Sequence, residues 1–458
     1  MNETRRVVGF VTGGTALLFL VSLFSYLVPF SWSPFDRINL LSDLIHTNRS
    51  NDSITTSSEP DSSSTAEAAV RRFDLYQTPG CIIGFNPDSL RADLPQFLAK
   101  LHQLSTTKQG KVRIAYFGDS MIEGDLMTQT LRQLLQTYFG GVGVGYVPIT
   151  SIVSGFRQTV RAEYSGGWQD RNFKANAGKV PLFLSGHAFS SNADWVRFTD
   201  RTIGDSSSLI EKILFCAPDP NASILVNDEW RALTAPGSFN RVPLISDANR
   251  TLKLVANTQT PILYGVSFES PSGVVLDNFS FRGITGIELN QFSVDWLRSI
   301  QQAQSYDLVI FQYGVNLLFR PMDKDFRWYG RAMKPVIDKF KQAFPTADVL
   351  VVSTADRAFR YQGKYASAIG IDSLVKVQAQ AAYQSNVAFY NQFATMGGTN
   401  SIVDWASRKP AWAGRDHIHP NGRGAAWLGE SMYRAILKEY DLYVRSLRPT
   451  NNKIKSGP

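Results

Sequence analysis

Val112-Arg113-Ile114-Ala115-Tyr116-Phe117-Gly118-Asp119-Ser120 reads as a buried strand that ends on a turn with a serine at its tip. The residues after it, Met121 to Tyr138, carry Leu126, Thr130, Leu131, Leu134 and Leu135 at helical spacing, so a helix is expected to leave directly from the serine. Further strands are expected at 274–279, 306–312, 348–354 and 387–390, with helices around 288–302, 326–344 and 421–440. Strands alternating with helices imply a parallel sheet covered on both faces, a three-layer α/β/α architecture with about five central strands.

The pattern is interrupted. Over residues 156–272 the texture changes to short strands such as Ala222-Ser223-Ile224-Leu225-Val226 and Thr251-Leu252-Lys253-Leu254-Val255, with Pro218-Asp219-Pro220 and Pro236-Gly237 as turns. An inserted β-sandwich-like module is expected there, with either a packing role or a carbohydrate-binding one. The α/β domain is then split into 71–155 and 273–445, followed by a tail at 446–458.

Three polar motifs stand after strands. Ser120 offers a hydroxyl that becomes nucleophilic once a base takes its proton. About 300 residues later, Asp416-His417-Ile418-His419-Pro420 offers His419 as that base, with Asp416 three residues before it to orient the imidazole. His417 is a lesser rival, since it needs a partner other than its neighbour. Gly314-Val315-Asn316 follows Leu308-Val309-Ile310-Phe311 and supplies a side-chain amide able to hold an oxyanion. The Ser120 N–H and the Gly283 N–H, in Arg282-Gly283-Ile284-Thr285-Gly286, are the backbone donors expected beside it, with the glycines between 140 and 145 as an alternative source. Alone, each signal has a plain structural explanation: Ser120 as a helix cap, Asn316 as a turn residue. Their order along an α/β pattern makes the set specific.

Composition narrows the remaining possibilities. A net charge of +8 over 458 residues is modest and its lysines and arginines are scattered, so nucleic-acid binding has no support. Two cysteines, Cys81 and Cys216, and five histidines leave no ligand cluster around Asp416, His417 and His419, so neither metal nor cofactor is expected. The cysteines either pair or stay apart. His46, His102 and His187 have no motif around them. Trp405 and Trp412, just before the histidine motif, either stack on a ligand's sugar rings or pack in the core.

Residues 7–35 hold no charge and follow Arg5 and Arg6, which predicts a membrane helix over 1–35 with a cytoplasmic start. The absence of a small-x-small cleavage site favours an anchor over a cleaved signal peptide. A tether rich in Ser, Thr, Asn and Asp follows within 36–70.

The motif order resembles the SGNH/GDSL hydrolase superfamily. Gly118-Asp119-Ser120-Met121 looks like its first block, with Met where Leu is usual. Gly283 is the best match to the second block and Gly314-Val315-Asn316 looks like the third, with Leu317 where many members carry Asp. Asp416-His417-Ile418-His419-Pro420 looks like the last. The resemblance covers residues 108–155 and 273–442. The long β insertion, Gly124-Asp125 and Gly143-Val144-Gly145-Tyr146 are similar to bacterial peptidoglycan O-acetylesterases. That likeness implies a cofactor-free serine esterase that deacetylates a cell-envelope polysaccharide, single-pass in a bacterial inner membrane with its catalytic domain outside the cytoplasm. A polysaccharide O-acetyltransferase with the same triad, a lipase, and a non-catalytic glycan-binding protein are the competing expectations.

Overall fold

The computed structural model describes residues 71–88, 90–175, 180–204 and 208–448. All of them fall within the compact unit Ala68–Pro458. The expected membrane helix and tether lie outside the described residues. Among the described residues, no helix is long and apolar enough to cross a membrane.

Five apolar segments form the centre of the molecule because neither of their faces meets water. Strands Lys111–Gly118, Gly273–Ser280, Leu308–Gln312, Asp348–Val352 and Ala388–Tyr390 pair in parallel, with Lys111–Gly118 between Gly273–Ser280 and Leu308–Gln312. A sixth strand, Ile82–Ile83, closes the far edge antiparallel to Ala388–Tyr390. Alternate side chains divide between two cores. Ala115, Phe117, Val309 and Phe311 face helices Val294–Ala303, Arg327–Ala343 and Ile371–Gln384. Ile114, Tyr116, Ile310 and Leu350 face helices Pro95–Thr107, Thr128–Phe139 and Gly422–Ser446. The result is a three-layer α/β/α arrangement around a largely parallel sheet.

Between Lys111–Gly118 and Gly273–Ser280 the chain builds two antiparallel sheets from strands running from Gly145–Val147 to Leu263–Glu269. Val196, Phe198, Leu252 and Leu254 of one sheet share a buried core with Leu214, Cys216, Val266 and Phe268 of the other. The reverse face of the second sheet is aromatic. Phe183, Phe215, Phe239 and Tyr264 join the same core as Phe279 and Phe311 of the central sheet, so the β strands and the α/β layers are packed together.

The expected helix at Met121 to Tyr138 is shorter. A 3-10 turn spans Glu123–Asp125, and the α-helix runs only over Thr128–Phe139. Gly124 and Asp125 both have positive φ, 72° and 69°, which no helix accommodates. Arg132 is buried on this helix, while Thr130 and Leu134 are only partly covered.

Candidate active site

The parallel strands set the site by ending together. Gly118 closes its strand in register with Ser280 on one side and Gln312 on the other, so the loops beginning at 119, 281 and 313 emerge side by side at the C-terminal edge. The fourth piece arrives from the end of the fold. Gly414 N–H donates to the His419 carbonyl at 2.8 Å, which bends 414–419 into a compact loop. Asn421 then caps helix Gly422–Ser446 by accepting from the N–H groups of Arg423 and Gly424.

This brings Ser120, His419 and Asp416 together. Ser120 Oγ lies 2.9 Å from His419 Nε2, and His419 Nδ1 lies 2.7 Å from Asp416 Oδ2. The other Asp416 oxygen accepts from the N–H groups of Ile418 and His419, at 3.1 and 3.2 Å. Burial raises the Asp416 carboxyl, but the His419 hydrogen bond and the two backbone donors outweigh it and hold it below its ordinary value. The carboxylate therefore stays ionised, and the contact assigns the His419 proton to Nδ1, leaving Nε2 free to accept from the serine hydroxyl.

Ser120 does not sit at a helix N-terminus. The α-helix begins eight residues later at Thr128, so its dipole is too distant to favour charge at the serine. The backbone donors differ from this. Among the described residues, neither the Ser120 nor the Gly283 N–H donates to a protein acceptor. The Asn316 amide is already engaged: its Nδ2 donates to Asp119 Oδ2 at 3.0 Å and to the Ile284 carbonyl at 2.8 Å. Asn316 is thus fixed between the first two loops, with its amide nitrogen already donating to both. Gly141 and Gly143 press on the backbone at Val274 and Phe268, at the opposite end of the Gly273–Ser280 strand, so that glycine run is no oxyanion source.

Three further residues bear on the site, although the sequence assigned them no part in it. Asp119 is fully buried, and burial pushes its carboxyl up to about 7 against hydrogen bonds from backbone N–H groups, with Glu123 adding to the rise. Arg357 donates to the Val315 carbonyl at 2.8 Å and interacts electrostatically with Asp416, which ties the asparagine loop to the histidine loop. Arg282 pairs with Glu123 at 2.5 Å, joining the Gly283 loop to the serine loop. Adjacency to Ser120 and Gly283 was the sequence signal for Asp119 and Arg282; Arg357 had none.

The remaining sequence candidates fall outside the chemistry. Trp405 is 1% exposed and packs edge-on against Trp412 and Trp427, so no sugar can reach it. The Arg408 guanidinium lies 4.2 Å from the centre of the Trp412 ring and covers it. His417 stacks on Tyr365 with ring centres 3.8 Å apart. Cys81 and Cys216 are both free, the latter wholly buried. No group of three or more His, Cys, Asp or Glu is disposed to hold a metal ion among the described residues.

Comparison with solved structures identifies the architecture. A peptidoglycan O-acetylesterase superposes with a TM-score of 0.65 at 20% identity, covering 77% of this chain and 99% of that one. This chain shares the fold of that esterase. A family two carbohydrate esterase from Cellvibrio japonicus matches with a TM-score of 0.26 at 9% identity, covering 62% of this chain and 99% of that one, too loosely to constrain anything further. No family model matches the sequence, and no curated protein does. The loop carrying Ser120 emerges at the C-terminal edge of the central parallel sheet, the edge at which open α/β sheets place their binding crevices.

Proposed function

We propose that this chain is an SGNH-type serine esterase that removes O-acetyl groups from a cell-envelope polysaccharide, with peptidoglycan as the substrate. The hydrogen-bonded line from Ser120 through His419 to Asp416 carries the reading. Ser120 Oγ attacks the acetyl carbonyl while His419 Nε2 takes its proton, and Asp416 stabilises the imidazolium. The Ser120 and Gly283 N–H groups receive the oxyanion, and Asn316 joins them by turning one amide hydrogen away from its present acceptors. His419 returns the proton to the departing sugar hydroxyl. Water, activated by His419, then frees acetate from the acetyl-serine.

Three observations support the finer choices. The side chains of His419 and Asp416 are 41% and 44% exposed, so water reaches the base, which favours hydrolysis over acetyl transfer to a second sugar. The likeness to a peptidoglycan O-acetylesterase and the uncharged segment at 7–35 favour a wall polymer met outside the cytoplasm by a single-pass protein.

Acetate release by the full chain from a chromogenic acetyl ester and from O-acetylated peptidoglycan tests this, with Ser120→Ala beside it. Release from both, lost in the variant, is expected. Transfer of acetyl to an added glycan in place of acetate release would instead establish the transferase. A folded protein inert in every assay would overturn the esterase.

A further inference from the structure

A recess of mixed polar and apolar lining reaches Glu123 of the serine loop and Arg282 beside Gly283 without including Ser120 itself. A cleft of about 260 Å³ opens between strands Gln169–Asn172 and His187–Ser190 on one side and the end of Gly273–Ser280 on the other. Its wall towards the serine is the Glu123–Arg282 ion pair, and Arg282 immediately precedes Gly283.

His187 lines this cleft in a constrained pose. Its ring stacks on Phe281 and on Phe189, with centres 4.8 and 5.6 Å away, which fixes the plane of the imidazole. Nδ1 is 2.9 Å from Asp170 Oδ1, and Asn172 fixes the other Asp170 oxygen at 3.0 Å. With its Nδ1 proton committed to a carboxylate, a neutral imidazole presents a bare Nε2 lone pair, an acceptor for a hydroxyl. Nε2 has no protein partner among the described residues.

The lining charges cancel. Arg157, Lys174 and Arg282 face Asp125, Glu123 and Asp170, and both arginines already have carboxylate partners. Such a lining has no excess charge for a polyanion and many groups for hydroxyls. Beside it, Phe156 is 50% exposed and rests on Gly124, where a Cβ would lie 2.3 Å from the ring. Ile152, 85% exposed, lines the same cleft.

We propose that this cleft holds a neutral, hydroxyl-rich sugar residue of the polymer that carries the ester, one position along from the acetylated sugar. His187 Nε2 accepts from a sugar hydroxyl and the Phe156 face covers the ring. The assignment rests on the esterase reading of Ser120 and adds where the rest of the chain is gripped.

Ser120→Ala, which cannot turn over, is titrated calorimetrically with O-acetylated glycan-strand oligosaccharides and with the same strands after deacetylation. Ser120→Ala/His187→Ala and Ser120→Ala/Phe156→Ala are titrated alongside. We expect Kd to rise tenfold or more in both double variants, for both ligands. Unchanged affinity in double variants that melt with the parent, or no glycan binding by Ser120→Ala, would overturn the proposal. If His187→Ala does not fold, Phe156→Ala decides alone. Failure of the esterase reading shows differently, as a wild-type chain that binds glycan yet releases no acetate from any ester.

Discussion

The Asp125 carboxylate is held by the Arg132 guanidinium through two hydrogen bonds of 2.7 and 2.9 Å, with both side chains buried. Thr128, Thr159 and Asn278 donate to the same carboxylate, so one ion ties the serine loop, the helix behind it, the β strands and the central sheet. The pair thus anchors the loop on which Ser120 stands.

Arg132→Met leaves that carboxylate buried without its main partner, and should cost about 3–5 kcal/mol of stability in denaturant unfolding. Burial raises the Asp125 carboxyl, but Arg132 and Arg157 outweigh it and hold it well below its ordinary value. A lowered folded value contributes stability above the unfolded carboxylate value of about 4, lost as pH falls through the folded value. The gap between wild type and variant should therefore narrow below about pH 4.

Ser120→Ala and His419→Ala should each lower kcat about 10⁴-fold or more, and the double variant should be no worse than either, because the two act as one unit. Steady-state kinetics on a small acetyl ester reads this directly. Additive losses would mean that they act separately.

Asn316→Ala should lower kcat about 10²–10³-fold with little change in KM, the signature of a donor used in the transition state. Gly314→Ala should weaken the same step indirectly. Gly314 has φ of 141° and its added Cβ would lie 2.4 Å from the Thr354 Cβ, so the loop must move and carry Asn316 with it. Its melting temperature should fall as well, by the equivalent of about 1–3 kcal/mol.

Asp119→Asn tests the raised carboxyl. A folded value of about 7 means that Asp119 favours the folded state most below the unfolded value and loses that contribution as pH rises to neutrality. Thermal melts from pH 4 to 8 should show the variant gaining on wild type as pH rises, with the difference levelling above pH 7. A constant difference would place the titration elsewhere.

The central sheet was legible because each strand is a short apolar run buried on both faces, and its ends fell within about two residues of the strands observed. The α/β layers followed from strand order, and the serine, histidine and asparagine loops from the motif residues that stand in that order. The conformation after Ser120 did not. Helical spacing in Met121 to Tyr138 is genuine, yet Gly124 and Asp125 turn the chain to deliver a carboxylate to Arg132 and Arg157, partners set by tertiary packing. Trp405 stayed open between core and ligand for a related reason: an indole beside a histidine motif has the same letter whether it faces solvent or lies under the next helix. Helices Pro95–Thr107 and Ile371–Gln384 went unread, although Phe97, Leu98, Leu101 and Leu104 carry the spacing of a buried face.

Ser120 and His419 are 299 residues apart, and the strand that pairs with Ser120's own on one side arrives only after the antiparallel sheets have been made. During synthesis the nucleophile therefore emerges long before its base. A growing chain that stops anywhere short of the Asp416–His419 loop presents an ordinary alcohol, whatever else it has folded. On the esterase reading the chain is chemically silent while it is being made, and its reactivity begins only when the closing helix brings the imidazole home.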